Sequence, residues 1–322
     1  MPHTLTALLN DPDFTALASR LAATDAATRR VALIELADDG DPEHVPVLVA
    51  GLADADAGVR AEAARLLAGW DAADVAAALA ERLLDDDVTV REAAAQSLSE
   101  LKSPDAGTPL LAWASHADPY ARSAALRALR ELRLPAAGAP ALAALGHVDA
   151  GVRREAVGVL GWLKVDDALP ALADLARADA DPEVRRAATG ALGFAPDARV
   201  VPALLAALDD AEWQVREEAA ATLGKLRLAE AATTLIATLE QDIWQVRIKA
   251  ARALGLIGNA KALPALIASL AHQAGNLRKE AAIALGEIGD ASARAALDVA
   301  SADPDPEVRK AARLALGRLA SR

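Results

Sequence analysis

The chain has 322 residues, a formal net charge of −12 and no cysteine, and 53% of it is hydrophobic while only 2% is aromatic. That acidity disfavours phosphate backbones and anionic headgroups as principal partners, and the missing thiols exclude disulfides, thiolate metal sites and a cysteine nucleophile. The start, MPHTLTALLN, has no basic segment leading into an apolar run, and no uninterrupted apolar stretch of about 18 residues occurs, so a soluble cytoplasmic protein with no membrane span is expected.

Ten copies of an arginine-centred segment follow one another, at Arg29, Arg60, Arg91, Arg122, Arg153, Arg185, Arg216, Arg247, Arg278 and Arg309. The step is 31 residues throughout, except for 32 between Arg153 and Arg185. An alanine stands three residues after each of these arginines and a leucine seven after. Self-similarity at this period predicts a solenoid in which each unit packs only on its neighbours. Residues 1–322 therefore read as one all-α repeat domain rather than the two domains suggested by length alone.

The chain opens with Leu5, Leu8, Leu9 and Phe14, expected to cover the open side of the first repeat and leave a monomer; without that cover, end-to-end association is expected. In every repeat the arginine segment reads as the second of two antiparallel helices. Its start is marked by an aspartate four residues before the arginine, at Asp25, Asp56, Asp87, Asp118, Asp149, Asp181 and Asp305. Aspartate there accepts from the free N–H groups of the first turn. Pro119, Pro182 and Pro306 follow directly, where a missing N–H costs nothing. The residue before the arginine (valine in seven copies), the alanine and the leucine recur every four residues and predict the buried face. Eight after the arginine the residue is small in nine copies, and glycine in six, which predicts close approach of the neighbouring helix. The first helices are shorter apolar runs, such as Val45–Leu52, Val201–Leu208 and Leu263–Leu270, with a proline early in each. Turns such as Gly258-Asn259 and Gly289-Asp290 end one repeat and begin the next. The last helix carries Lys310, Arg313, Arg318 and Arg322, a polar end.

The pattern DPEVRxAAxxALGxL, clearest at Asp181–Phe194 and Asp305–Leu319, resembles the HEAT-like repeats named after phycobilisome lyases, and it covers essentially the whole chain. The resemblance implies a right-handed α-solenoid of about ten two-helix HEAT-like repeats. It also implies that the second helices line the concave face. Members of that superfamily include bilin lyase subunits, deoxyhypusine hydroxylases and scaffolds that bind only other proteins. The hydroxylases hold iron through His-Glu dipeptides, and this chain has none.

Chemistry-bearing motifs are missing. The five histidines read as scattered over different repeats and phases, and no HExxH, GxSxG, Walker-type loop or dinucleotide fingerprint occurs. No catalytic residue, metal ligand or cofactor is assigned. The ten arginines are expected to be structural, each needing carboxylate or carbonyl partners, with the capping aspartate the nearest candidate. Ile243 and Ala274 replace that aspartate in repeats eight and nine, so a weakened ladder is expected there. Trp70 and Trp113 read as core and packing.

One stripe on the second helices departs from this pattern. Positions three before the arginine and one, five and nine after it share a face at an angle to the buried one. In repeats five to eight this stripe carries Trp162, Phe194, Trp213, Trp244, Ile248 and Leu256, four of the chain's eight aromatic residues among them. Gly158, Gly190 and Ala221 between them predict a shallow floor, and Tyr120 marks the edge in repeat four. Trp213 and Trp244 open two copies of the sequence WQVR and are expected to stack as a rim, with Gln214 and Gln245 beside it. Arg186 and Arg252 would orient a ligand. The whole stripe holds ten basic and six acidic residues, so an acidic and aromatic or apolar protein or peptide is the expected partner. A non-catalytic scaffold is the leading expectation. The alternative is a bilin-lyase-like enzyme or cofactor chaperone holding a flat ligand in the same groove; a nucleic-acid glycosylase is disfavoured by the charge.

Overall fold

The computed structural model describes residues 12–38, 40–195 and 198–321, with side chains from residue 16 onward. The expected cover by Leu5, Leu8, Leu9 and the Phe14 side chain lies outside the described residues, as does Arg322. The described residues form helices and 3₁₀ turns with no strand. They fall into two compact units, Met1–Leu163 and Lys164–Arg322.

In the first unit five pairs follow in order. They are α1 (Pro12–Leu21) with α2 (Ala26–Asp38), α3 (Val45–Gly51) with α4 (Ala57–Leu66), and α5 (Ala73–Glu81) with α6 (Val88–Ser99). Next come α7 (Pro104–Gly107) and α8 (Leu110–Trp113) with α9 (Pro119–Leu132), then α10 (Gly138–Ala144) with α11 (Ala150–Leu163). Pro109 separates α7 from α8, where its ring and missing N–H interrupt the helix. In the second unit the pairs are α12 (Leu169–Ala178) with α13 (Pro182–Ala191), α14 (Val201–Ala207) with α15 (Trp213–Leu226), and α16 (Ala232–Gln241) with α17 (Trp244–Ile257). The last two are α18 (Leu263–Ser269) with α19 (Gly275–Ile288), and α20 (Arg294–Ala300) with α21 (Pro306–Ala320). Within each unit successive second helices pack on one another, which is the α-solenoid arrangement.

All ten repeat alanines, from Ala32 to Ala312, are fully buried. Nine of the ten repeat leucines, from Leu36 to Leu285, are buried as well, each worth about 1.5–3 kcal/mol over exposure; Leu316 is half-buried. All seven capping aspartates accept a first-turn N–H, for instance Asp118 from Ala121 at 2.9 Å and Asp149 from Val152 at 3.0 Å. The glycines eight after the arginine do admit the next helix: a Cβ at Gly224 would stand 2.7 Å from Ala253 Cα, and one at Gly286 would stand 2.7 Å from Ala315 Cβ.

The arginines form a ladder, but not with the capping aspartates. Arg60 places Nε and Nη2 on the two oxygens of Asp85, while Nη1 donates to the carbonyls of Asp54 and Ala55. Arg29 grips Asp54 in the same way, and in the second unit Arg185 grips Asp210, Arg216 grips Asp242 and Arg278 grips Asp303. The acceptor lies just ahead of the cap position of the following repeat. The capping carboxylate is already spent on its own helix, whereas the preceding aspartate points across the loop at the neighbouring guanidinium.

Three of the five histidines stand in this ladder position, each 25 residues after a repeat arginine: His116, His147 and His272. They share one phase rather than being scattered. Nδ1 of each accepts the N–H two residues on, at 3.0 Å, as the aspartates do at Asp56 and Asp181. An imidazole preserves the turn but offers no carboxylate. Among the described residues, the two arginine Nε atoms buried without a partner belong to Arg122 and Arg247, the arginines that precede His147 and His272.

Candidate functional site

The stripe singled out in the sequence is distributed over both units. In the first, Trp162 lies near the end of α11 and is 45% exposed. One face of its indole is covered by the Arg133 guanidinium, 4.6 Å from the ring centroid. Arg133 can reach it because it ends α9 in the left-handed conformation, φ 52°. On the same helix as Trp162 the Glu155 carboxylate is buried, and three arginines converge on it: Arg127 and Arg130 at 3.4 Å and Arg154 at 3.5 Å. Gly158 makes room for that convergence, since a Cβ there would meet Arg130 Cδ at 2.9 Å. The expected shallow floor at Gly158 is therefore filled by an arginine stem. Tyr120, at the start of α9, is 40% exposed, with the Arg91 guanidinium 5.9 Å from its ring.

In the second unit, Arg186 is exposed on α13 and pairs with Glu183 at 2.7 Å. Phe194 is half-buried in the 3₁₀ turn Leu192–Phe194, because α13 ends at Ala191. Trp213 and Trp244 are the first residues of α15 and α17. Trp244 is 46% exposed and Trp213 half-buried. No ring contact joins them, so the expected stacked rim is two separate indoles on successive helices. Gln214 and Gln245 are half-buried, and Oε1 of each is buried without a partner. Ile248 and Leu256 are half-buried on α17, and Arg252 is exposed between them. Gly190 does not leave an open floor either: Glu218 Oε1 lies 2.8 Å from where its Cβ would be. Burial pushes the Glu218 carboxyl above its usual range, with Arg186, Lys249 and Lys225 pulling the other way. Glu217 on the same helix pairs with Lys249 across to α17 at 3.7 Å.

Arg130, Arg133, Glu155 and Glu218 were not legible as site residues, being off the stripe; the glycines at 158 and 190 were their one trace. Trp70 is half-buried rather than core, because α4 ends at Leu66 and the chain has left the helical phase by residue 70. Trp113 does pack, stacked on His116 with centroids 5.1 Å apart.

Three cavities bear on these elements. Two, of about 480 and about 410 Å³, lie against the ladder, lined by Arg216 and Asp242 and by Arg60 and Asp85 respectively, whose charges already satisfy one another. The third, of about 250 Å³, lies between α19 and α21. Among the described residues no group of three or more His, Asp or Glu could hold a metal ion, and no helix is long and apolar enough to cross a membrane.

The sequence matches the HEAT-repeat family over residues 14–99, 45–115, 107–193, 174–246 and 232–317. No curated protein matches it. Among solved structures it is similar to an engineered protein (22% identity, TM-score 0.55), with 95% of this chain and 98% of that one covered. It is also similar to the Escherichia coli protein YIBA, at 20% identity and TM-score 0.53 over 93% of this chain and 98% of that one. A third likeness is to a chain in the complex of Kap95p with RanGDP, at 14% identity and TM-score 0.66. There it covers 96% of this chain and spans half of that one. At these identities the likeness is one of fold.

Proposed function

We propose that this chain, which belongs to the HEAT-repeat family, is a non-catalytic scaffold that holds a protein or peptide on the concave face of its solenoid. The anchors are Trp162 on the first unit and Phe194, Trp213 and Trp244 on the second, with Arg186, Arg252, Gln214 and Gln245 orienting the partner and Ile248 and Leu256 adding apolar contact. The carrying observation is the exposure of Trp244, at 46%, on a helix that also exposes Arg252. A large exposed aromatic beside an exposed arginine suits an interface that supplies both apolar cover and an acceptor. Kap95p, a solenoid neighbour, binds RanGDP, which supports a protein partner here. The DPEVRxAAxxALGxL pattern supports placing the repeats in the phycobilisome-lyase type.

The test is affinity capture with the full chain, wild type against Trp213→Ala/Trp244→Ala, with circular dichroism and melting on both. A partner recovered by the wild type and lost by the folded double variant is the expected result. Equal capture by both would remove the two tryptophans from the binding surface.

A further inference from the structure

The cavity between α19 and α21 combines two features. Its floor is aliphatic: Ile283 and Leu314, with Ala311 and Ala315 beneath. Its rim is cationic, from Lys279, Lys310 and Arg318, with Glu307 the one acid in the lining. Leu314 is 62% exposed, a large fraction for a leucine, while its neighbours Ala311 and Ala315 on the same helix are buried. Among the described residues none of the three rim cations makes an ion pair, in contrast to Arg127, Arg130 and Arg154, which share Glu155. On a chain of net charge −12 such an unneutralised cluster is a local reversal of sign.

The geometry also explains how the hollow arises. Lys279 and Lys310 stand one residue after their repeat arginines, and Ile283 and Leu314 stand five after, so each helix contributes one cation and one aliphatic residue at equivalent heights. Gly286 draws α21 against α19 through Ala315, where a Cβ would come within 2.7 Å. The small Ala311 and Ala315 then leave space above them that no side chain enters.

We infer that this cavity is an anchor pocket for an aliphatic side chain flanked by carboxylates, on an acidic segment of a polypeptide partner. A volume of about 250 Å³ admits one or two aliphatic side chains and excludes a folded domain. Leu314 and Ile283 gain by being covered, and carboxylates on either side of the anchor meet Lys279, Lys310 and Arg318. This site is separate from the tryptophans of α15 and α17, although a partner held there could continue along the same unit, and it stands whether or not those tryptophans bind.

The test uses the full chain and a fluorescein-labelled peptide of sequence DELDELG, followed by fluorescence anisotropy. Two control peptides carry glycine for leucine, or asparagine and glutamine for the acids. Saturable binding of DELDELG is expected, weakened about tenfold or more by Leu314→Glu and by Lys310→Glu/Arg318→Glu, weakened by salt, and unchanged by Trp213→Ala/Trp244→Ala. Leu314, Lys310, Arg318 and Trp244 are exposed and Trp213 is half-buried, and circular dichroism verifies the fold of every variant. Equal binding of the leucine-free peptide would leave only a charge effect and overturn the pocket. So would equal affinity of wild type and Leu314→Glu, or loss of binding in the tryptophan variant with Leu314→Glu unaffected. Self-association in sedimentation velocity that Leu314→Glu abolishes would assign the pocket to a second copy of the chain and overturn the acidic segment.

Discussion

Both carboxylate oxygens of Asp85 are held by Arg60, at 2.7 and 2.8 Å, and one of them also accepts the backbone N–H of Asp87 at 3.0 Å. One side chain thus joins the second helix of one repeat to the loop that starts the next. Asp85→Ala removes three hydrogen bonds and leaves a half-buried guanidinium without its partner, so a loss of about 2–3 kcal/mol is expected. Asp85→Asn, which retains an acceptor for the turn, should cost less. Urea unfolding, with hydrogen exchange across α4 and α6, measures both; indistinguishable midpoints for wild type and alanine variant would refute the ladder's role.

The same logic runs in reverse at His272. Arg247 Nε is buried without a partner, and the residue 25 positions on is histidine where other repeats have aspartate. His272→Asp supplies the carboxylate and keeps the acceptor for the turn. A gain of about 1–2 kcal/mol at neutral pH is expected. Control substitution of Asp303, whose arginine is already paired, should instead destabilise.

Most of this architecture was legible because helical period and capping act locally. Asp118 and Asp149 cap within three residues, and Ala219 or Leu223 are buried because they sit on one face of one helix. The ladder partner was not legible in the same way. Asp87 was legible as the cap of its own helix, and only the three-dimensional position shows that Asp85, two residues ahead of it, takes the Arg60 guanidinium. The site suffered similarly: Trp162 was visible as a stripe aromatic, but Arg133 lies off the stripe and reaches it through a left-handed backbone that no side-chain pattern encodes.

That left-handed position recurs eleven residues after the repeat arginine, where Arg133, Lys164 and Arg227 stand beside Gly258 and Gly289. A Cβ is disfavoured there by its own carbonyl, at about 1 kcal/mol or more, and glycine is not. Arg227→Gly is therefore expected to stabilise by about 1 kcal/mol, and Gly258→Arg to destabilise by a similar amount. Open space around Gly258 means the second effect is one of backbone and not of collision. Thermal melts of the two variants should shift in opposite directions; shifts of the same sign would contradict the assignment.

Gly255 poses the opposite case, a helical glycine with ordinary backbone and no room. A Cβ there would lie 2.7 Å from Ala284 Cα and 2.6 Å from Glu287 Oε2. Alanine normally favours a helix over glycine by about 1 kcal/mol, yet here overpacking costs about 1–3 kcal/mol, so Gly255→Ala should destabilise on balance. Gly317→Ala, on the same position of the last repeat with nothing within 4 Å, should stabilise. The contrast between the two, read as urea midpoints, separates helix propensity from interhelical contact.

Acid should unfold the protein in two windows. Burial, reinforced by the positive charges of Arg247 and Arg278, holds the His272 imidazole below its usual pKa. The unfolded chain then binds the proton more readily, so stability is complete above the ordinary histidine value of about 6.5 and is lost as pH falls below it. Protonation would also remove the Nδ1 acceptor that receives the Ala274 N–H. In the second window, hydrogen bonds from Arg29, Arg60 and Arg278 hold Asp54, Asp85 and Asp303 below the usual carboxylate range. Their contribution is present above about pH 3.9 and disappears as pH falls through the lowered values. Comparing wild type with His272→Asp isolates the first window, since the variant deletes that titration while leaving the other histidines in place. Its advantage over the wild type should therefore widen from pH 7.5 to pH 5 and narrow again below pH about 4, as the new carboxylate is protonated. A constant difference between pH 7.5 and 5 in urea midpoints would show that His272 titrates alike in folded and unfolded chains.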